Sequence, residues 1–525
     1  MKIKFTLLAL LLAKAAAGQQ WSKSFSAGQY AAGQYLGGTE IMHLVAHKGK
    51  LYAGNSYWLE TNKSLPVSGC QILSLASPTA QWKEEIEFPG SLRLNSLKQF
   101  VFTRDHQGNA LARPDTVLLA NPGNEDGRLI VYLRDDTKNT WLKDSITTYT
   151  YPGADVSVRS SGLHYDAKAN RQYIFLGMKT TGVLRGVYKP GLETKIEWTT
   201  TPELSVGQDF RVMGFTELNG VLYCGTSENG VARIYRRNDS ATSPDWTLVW
   251  MDDQGSKNGD IRGLSAVKNP NGAGQVLWFS WNGSARTWQP GSTVAPVEFT
   301  YAPDLTQRLG TNTSGVLAAY NDNILHWYDP VRRDSVHLIG FEVRYNNPGS
   351  RPNVDRWSLD GMYYARESSG GTVNYELKYI LKNATPLTDT LLAVRTICAS
   401  PFPAEAGNVL YAGGYDGNGF PASQTAWVYR GDYRDEASQI PTATKGNSAD
   451  EPEARVYPNP ASAYIHIRLK NKGFKKAYLS DASGRVVQQA SAEFMDVRAV
   501  ADGLYLLTIV TGGGQFTRKV VIRRN

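Results

Sequence analysis

RVMGFTELNGVLYCGTSENGVARIYRRNDSATSPDWTLVW, Arg211 to Trp250, reads as four short strands joined by tight turns. Arg211-Val212-Met213-Gly214-Phe215-Thr216 is the first strand. Asn219-Gly220 reverses the chain, since this pair accepts the positive φ that both central residues of a type I′ hairpin require. Val221-Leu222-Tyr223-Cys224-Gly225 is the second strand, and Glu228-Asn229-Gly230 is the next turn. Val231–Arg236 and Asp245–Trp250 complete the set. The apolar residues follow strand periodicity, and no long stretch of the body keeps a helical one. Four antiparallel strands in ~50 residues make one blade of a β-propeller.

The unit recurs on both sides. Lys48-Gly49-Lys50-Leu51-Tyr52-Ala53-Gly54, Leu359-Asp360-Gly361-Met362-Tyr363-Tyr364-Ala365 and Asn408-Val409-Leu410-Tyr411-Ala412-Gly413 repeat the turn and the second strand. Trp82, Trp141, Trp198 and Trp246 repeat near the start of the fourth, and read as packing between blades rather than as a ligand box. The last repeat ends at Trp427-Val428-Tyr429-Arg430 without a fourth strand of its own. Gln20-Trp21-Ser22-Lys23-Ser24-Phe25 supplies it, so the two ends of the body pair and the ring closes without an exposed sheet edge. Seven blades are expected over 19–437. Eight stay open, because the segment from Asp304 to Leu391 is long for one blade and short for two. Ser438–Glu453, rich in small and charged residues, has little to bury and reads as a linker.

A separate all-β unit follows. Pro458 and Pro460 forbid helix at its start. Tyr464–Leu469, Lys475–Ser480, Arg485–Gln489 and Phe516–Arg523 are strand-like, with turns at Asp481–Gly484 and Gly512–Gly514. Four ordered motifs run through it: Val456-Tyr457-Pro458-Asn459-Pro460-Ala461-Ser462, Asp481-Ala482-Ser483-Gly484-Arg485-Val486-Val487, Gly503-Leu504-Tyr505-Leu506-Leu507-Thr508-Ile509 and Lys519-Val520-Val521-Ile522-Arg523-Arg524. In that order and spacing they resemble the type A C-terminal sorting domain of type IX secretion substrates in Bacteroidetes. Tyr457, Pro458, Asn459, Pro460, Gly484, Gly503, Tyr505 and Lys519 carry the likeness, which covers Ala454–Asn525. Ala463 departs from it, standing where the family often has a small polar or acidic residue. The resemblance implies a small β-sandwich, and the type IX machinery as partner. It also implies passage through the periplasm to the surface or the medium, with the tail removed in or near Ser438–Glu453. The amino terminus points to the same route. Lys2 and Lys4, the apolar run Phe5–Leu12 and Ala15-Ala16-Ala17-Gly18 form a signal peptide over 1–18. No cysteine follows to take a lipid, and no later run is long and apolar enough to span a bilayer.

These ends also carry the charge. The whole chain is +8 with a pI near 9.1. The segment from Ala454 holds 12 Lys/Arg against 4 Asp/Glu, and the leader adds Lys2, Lys4 and Lys14, so the body from Gln19 to Glu453 is −3. A nucleic-acid partner is therefore not expected. Cys70, Cys224 and Cys398 allow at most one disulfide, and buried strand thiols are the simpler reading.

Motifs that carry chemistry are scarce. There is no HExxH, no GxSxG and no GxxxxGK[ST]. His43 and His47 share a strand face, but a lone pair is a weak zinc signal. Gly413–Gly419 lacks the acidic spacing of a calcium loop. Ser243-Pro244-Asp245-Trp246-Thr247 lacks the glycine of the boxes that sialidase-type propellers repeat. No metal or cofactor is expected.

One pattern stands out. Each innermost strand opens with an arginine after an apolar residue: Leu92-Arg93, Val158-Arg159, Phe210-Arg211, Ile261-Arg262 and Val394-Arg395, with Glu40 aligned in the first repeat. Innermost strands line the central channel, so Arg93, Arg159, Arg211, Arg262 and Arg395 form a candidate ring of guanidiniums at one height. Such forks suit carboxylate, sulfate or phosphate. Alternatively, Asp209 and Asp260 pair with Arg211 and Arg262 and tie blades together. Two functional classes follow. One is a secreted or surface binding module, a monomer holding an anionic glycan or a protein ligand. The other is an enzyme, a lyase or hydrolase acting on an acidic polysaccharide. The binding module is preferred, because no base or nucleophile can be picked out beside the arginines, and the fold alone hosts both.

Overall fold

Asn219 and Gly220 adopt φ of 53° and 75°, and Lys48 and Gly49 adopt 43° and 77°. Both pairs make the tight turn between the first and second strands of a blade. The computed structural model of the protein describes residues 20–31, 33–57, 69–123, 128–150, 156–205, 210–252, 261–301, 313–318, 324–329, 334–345, 361–369, 371–380, 392–417, 424–433, 454–457, 461–469, 473–481, 486–511 and 514–523. The chain divides into two compact units, Met1–Ala437 and Ser438–Asn525.

The first unit is a β-propeller with seven blades among the described residues. Its innermost strands are Glu40–His47, Leu94–Arg104, Val158–Asp166, Phe210–Leu218, Arg262–Lys268, the pair Thr313–Ala318 and Ile324–Asp329, and Leu392–Ala399. Each of these touches the next, and Leu392–Ala399 returns to Glu40–His47. Among the described residues the buried apolar side chains form seven inter-blade layers, one for each neighbouring pair of blades. This removes the eight-blade alternative. Blade 6 absorbs the long segment with five strands. Asp334–Tyr345 is long enough to pair with both Thr313–Ala318 and Ile324–Asp329, so the inner strand of this blade comes in two pieces.

Blade 7 is built from both ends of the propeller. Gln20–Ser26 runs antiparallel to Ala426–Asp432 and completes a sheet with Val409–Asp416 and Leu392–Ala399. Phe25 is buried, 6.0 Å from the Trp82 ring in blade 1, and Trp21 lies edge-on to Tyr363 in blade 6 at 6.1 Å. Trp21 sits opposite Gly431, where a Cβ would come within 2.7 Å of its ring.

The fourth-strand tryptophans reach back to the preceding blade. Trp82 Nε1 donates to Ser24 Oγ at 3.0 Å, Trp198 Nε1 to Asp144 Oδ2 at 3.1 Å and Trp246 Nε1 to Glu203 Oε1 at 3.0 Å. Trp141 packs edge-on to Tyr52 at 6.4 Å. Cys70, Cys224 and Cys398 are free thiols on strands. Burial raises all three thiols, Cys398 to about 12.

The second unit has one sheet of Ala454–Tyr457, Tyr464–Leu469 and Phe494–Asp496, and another in the order Val486–Ala490, Phe474–Ser480, Gly503–Thr511 and Gly514–Ile522. They share a core of Ile465, Ile467, Leu479, Leu507, Ile509 and Val520, the arrangement of a small β-sandwich. Tyr505 is buried in it, with its hydroxyl donating to the Ala501 carbonyl at 2.8 Å. The expected signal peptide 1–18, the linker 438–453, Pro458, Asn459, Pro460 and Gly484 lie outside the described residues.

Candidate functional site

Every described inner strand of blades 1–5 and 7 leaves register with its partner near its start. The shifts fall at Ile41/His43, Leu94/Ser96, Val158/Ser160, Val212/Gly214, Arg262/Ser265 and Val394/Thr396. A bulge of this kind bends the strand and re-aims one side chain. It sits beside an apolar residue that docks against the preceding blade. Ile41 packs on Gly413, Leu94 on Gly54, Val212 on Gly177, Ile261 on Gly225 and Val394 on Gly340.

The docking residue sorts four of the arginines, and the register shift places the fifth. Arg262 and Arg395 come directly after the docking residue and Arg93 and Arg211 directly before it, as does Glu40, while Arg159 comes directly after Val158, where the blade 3 shift begins. Two residues of strand separate these levels, about 6–7 Å. The five therefore do not share one height, because aligning by "apolar then arginine" ignores the bulge. Arg262 and Arg395 are buried, and Arg93, Arg159 and Arg211 are half-buried. Each of the five has at least one interaction partner. Arg395 meets Glu40 across the blade 7–blade 1 joint, with 2.8 Å between its terminal nitrogen and Oε2, both side chains being buried. Its guanidinium also lies over the Tyr415 ring at 5.3 Å. Glu40, the exception in the alignment, is thus the counter-ion of Arg395. Asp209 and Asp260, the partners considered for Arg211 and Arg262, lie outside the described residues.

Below this level a cavity of about 250 Å³ opens among the inner strands of blades 1, 2, 3, 6 and 7. Arg159, Lys98, His43, Ser96, Gln99 and Cys398 are among its walls, and none of its described lining residues is acidic. Lys98 Nζ donates to the Ser161 carbonyl at 2.7 Å, which holds the ammonium beside blade 3. His43 Nε2 hydrogen-bonds the Leu94 carbonyl at 3.1 Å and so carries the proton there. Burial lowers the His43 pKa to about 4, and Lys98 and Arg395 push the same way. The imidazole is therefore neutral at pH 7.

A second constellation was missed in the sequence. At the joint of blades 1 and 2, His47 Nδ1 meets Gln99 Oε1 at 2.9 Å and Nε2 meets Asp136 Oδ2 at 3.0 Å, while Arg134 pairs with Glu85 at 2.9 Å. Blades 3 and 4 repeat it with His164, Glu217, Asp239, Arg237 and Glu203. His164 lies 3.2 Å from Glu217 and 3.0 Å from Asp239, and Arg237 lies 2.6 Å from Glu203. Blades 5 and 6 keep the arginine part, Arg366 with Glu298 at 2.6 Å. The available signal was the spacing shared by Arg134-Asp135-Asp136 and Arg237-Asn238-Asp239. His43 and His47 thus have different partners. Among the described residues, no group of three or more His, Cys, Asp or Glu is arranged to hold a metal. Gly413 and Gly414 belong to the strand Val409–Asp416.

No curated protein matches the sequence. The chain is similar to the β-propeller domain of Cps50 (Swd1) from Myceliophteria thermophila, at 12% identity and a TM-score of 0.38, covering 74% of this chain and 96% of that one. An assigned exo-β-1,3-galactanase from Bifidobacterium bifidum matches at 12% identity and a TM-score of 0.29, covering 53% of this chain and 97% of that one. Residues 455–523 match the family described as the secretion system C-terminal sorting domain. The tail is thus a sorting domain that engages the type IX machinery, and the chain is a type IX secretion substrate, secreted or displayed at the cell surface, with a β-propeller body.

Proposed function

We propose that the propeller is a binding module, working as a monomer outside the cell of a member of the Bacteroidetes, whose channel takes an anionic group of a glycan or protein ligand. The observation that supports this is the central cavity, walled by Arg159 and Lys98 and by no described carboxylate, in a body of net charge −3. Positive potential focused in a cleft of an otherwise slightly acidic body draws anions, and its pull weakens as salt rises. Arg93 and Arg211 extend the charge one level along the inner strands. Arg395 contributes less, because Glu40 neutralises it.

An array of sulfated and uronic-acid glycans, probed at several salt concentrations, tests the reading. Arg159→Ala is expected to lose retention on the acidic glycans while circular dichroism shows the domain still folded. A wild-type chain that retains no anion at any salt concentration overturns it. Shortened or unsaturated oligosaccharides released from the array would instead make the protein an enzyme.

A further inference from the structure

The joint of blades 5 and 6 departs from the repeated pattern in one respect. In blades 2 and 4 a four-residue row crosses the sheet. It runs Gln99, Leu118, Arg134, Trp141 in blade 2, with Leu222, Arg237 and Trp246 in the matching places after Glu217 in blade 4. In blade 6 the same row is His326, His337, Arg366, Tyr375. The preceding blades 1 and 3 supply His47 and His164 to satisfy Gln99 and Glu217. Blade 5 has Val267 at that place, so His326 receives no such partner from it.

From this we infer that His326 and His337 form a chelating site for a divalent transition-metal ion of the Zn2+, Ni2+ or Cu2+ class. The two residues face each other across adjacent antiparallel strands, with ring centres 5.1 Å apart. Two imidazoles binding one ion at the ~2.1 Å Zn–N distance across a tetrahedral angle have ring centres about 5 Å apart. His337 is 7% exposed, and its Nδ1 finds no hydrogen-bond partner among the described residues. A buried ring nitrogen left so is costly, and an ion at the site is one way of explaining it. His326 is exposed and gives the ion a path in. The Arg366 charge opposes a cation beside His337, and Glu298 offsets part of it. Glu298 clamps that guanidinium through two hydrogen bonds, Nε to Oε1 at 2.6 Å and a terminal nitrogen to Oε2 at 2.8 Å. With two protein ligands, water fills the remaining positions, and affinity rests on imidazole nitrogen, which suits this class of metal over Mg2+ or Ca2+.

Calorimetric titration of the chelator-treated full chain with Zn2+ alone, repeated with Ni2+, tests the site. Binding of one ion is expected, weakened at least tenfold by His326→Gln or His337→Leu. These substitutions install the residues that blade 2 carries in the same row, so folding should survive, and circular dichroism checks it. His326→Gln is at a solvent-exposed position and serves alone if His337→Leu fails to fold. Wild-type affinity retained in the folded variants, or no heat with either metal, overturns the inference.

Discussion

Phe25→Ala is the sharpest test of how the ring is held. Phe25 is 2% exposed and packs with Trp82, Val428 and Ala426 in the layer joining blades 7 and 1. Truncating a buried Phe costs about 3–5 kcal/mol, combining lost transfer energy and the cavity left behind. Unfolding entropy near the midpoint is ~2.1 cal/mol/K per residue, so a body of roughly four hundred residues has about 0.9 kcal/mol/K. The melting temperature should therefore fall by about 3–6 °C. Gly431→Val attacks the closing strand pair on its other face, towards blade 6, because a Cβ there meets the Trp21 ring at 2.7 Å. Ser22, exposed on the closing strand, provides the control, and Ser22→Ala should stay within ±0.5 kcal/mol. Differential scanning calorimetry at one fixed scan rate makes the comparison, since irreversible unfolding makes the midpoint depend on rate. If Phe25→Ala and a chain lacking residues 20–26 both melt like the wild type, the terminal strand does not hold the ring shut.

Arg395→Ala should cost about 3–5 kcal/mol in chemical denaturation by leaving Glu40 buried without its counter-ion, and adding Glu40→Leu should restore most of it. His43 has its pKa lowered from 6.5 to about 4, so the unfolded chain binds the extra proton first. Stability from this group is full above about pH 6.5 and falls as pH drops towards 4, by about 3 kcal/mol. Denaturant titrations from pH 7.5 to 4 on the wild type and His43→Gln should show a smaller acid loss in the variant, and parallel curves would refute the assignment. Deleting residues 454–525 should leave the protein in the periplasm, as read by cell fractionation, and normal secretion of the truncated chain would contradict the role of the tail.

Much of the fold was legible because its signals are local. Asn219-Gly220 and Lys48-Gly49 turn the chain through their own φ preferences, wherever they lie in the ring. The fourth-strand tryptophans mark the repeats of blades 1–4, where each ring fills the gap to the preceding blade. Less of the candidate site was legible. The arginines were visible, but their heights were not, since a bulge changes register without changing composition. The inter-blade pairs join residues far apart in sequence. His47 meets Asp136, and Arg395 meets Glu40 although most of the propeller's sequence lies between them.

By itself the sequence determined the all-β class, the blade unit, the terminal strand that closes the ring and the sorting tail, because each rests on neighbouring residues or ordered motifs. Only the tertiary structure decided seven blades over eight, since the inner strand of blade 6 is broken into two pieces that pair along one long partner. Only it made Glu40 the partner of Arg395 and set His326 against His337 in the row where blade 2 has Gln99 and Leu118. Those pairings depend on how strands register across sheets and how sheets meet around the ring. That geometry is fixed by packing and loop closure between distant segments, and no single stretch of sequence encodes it.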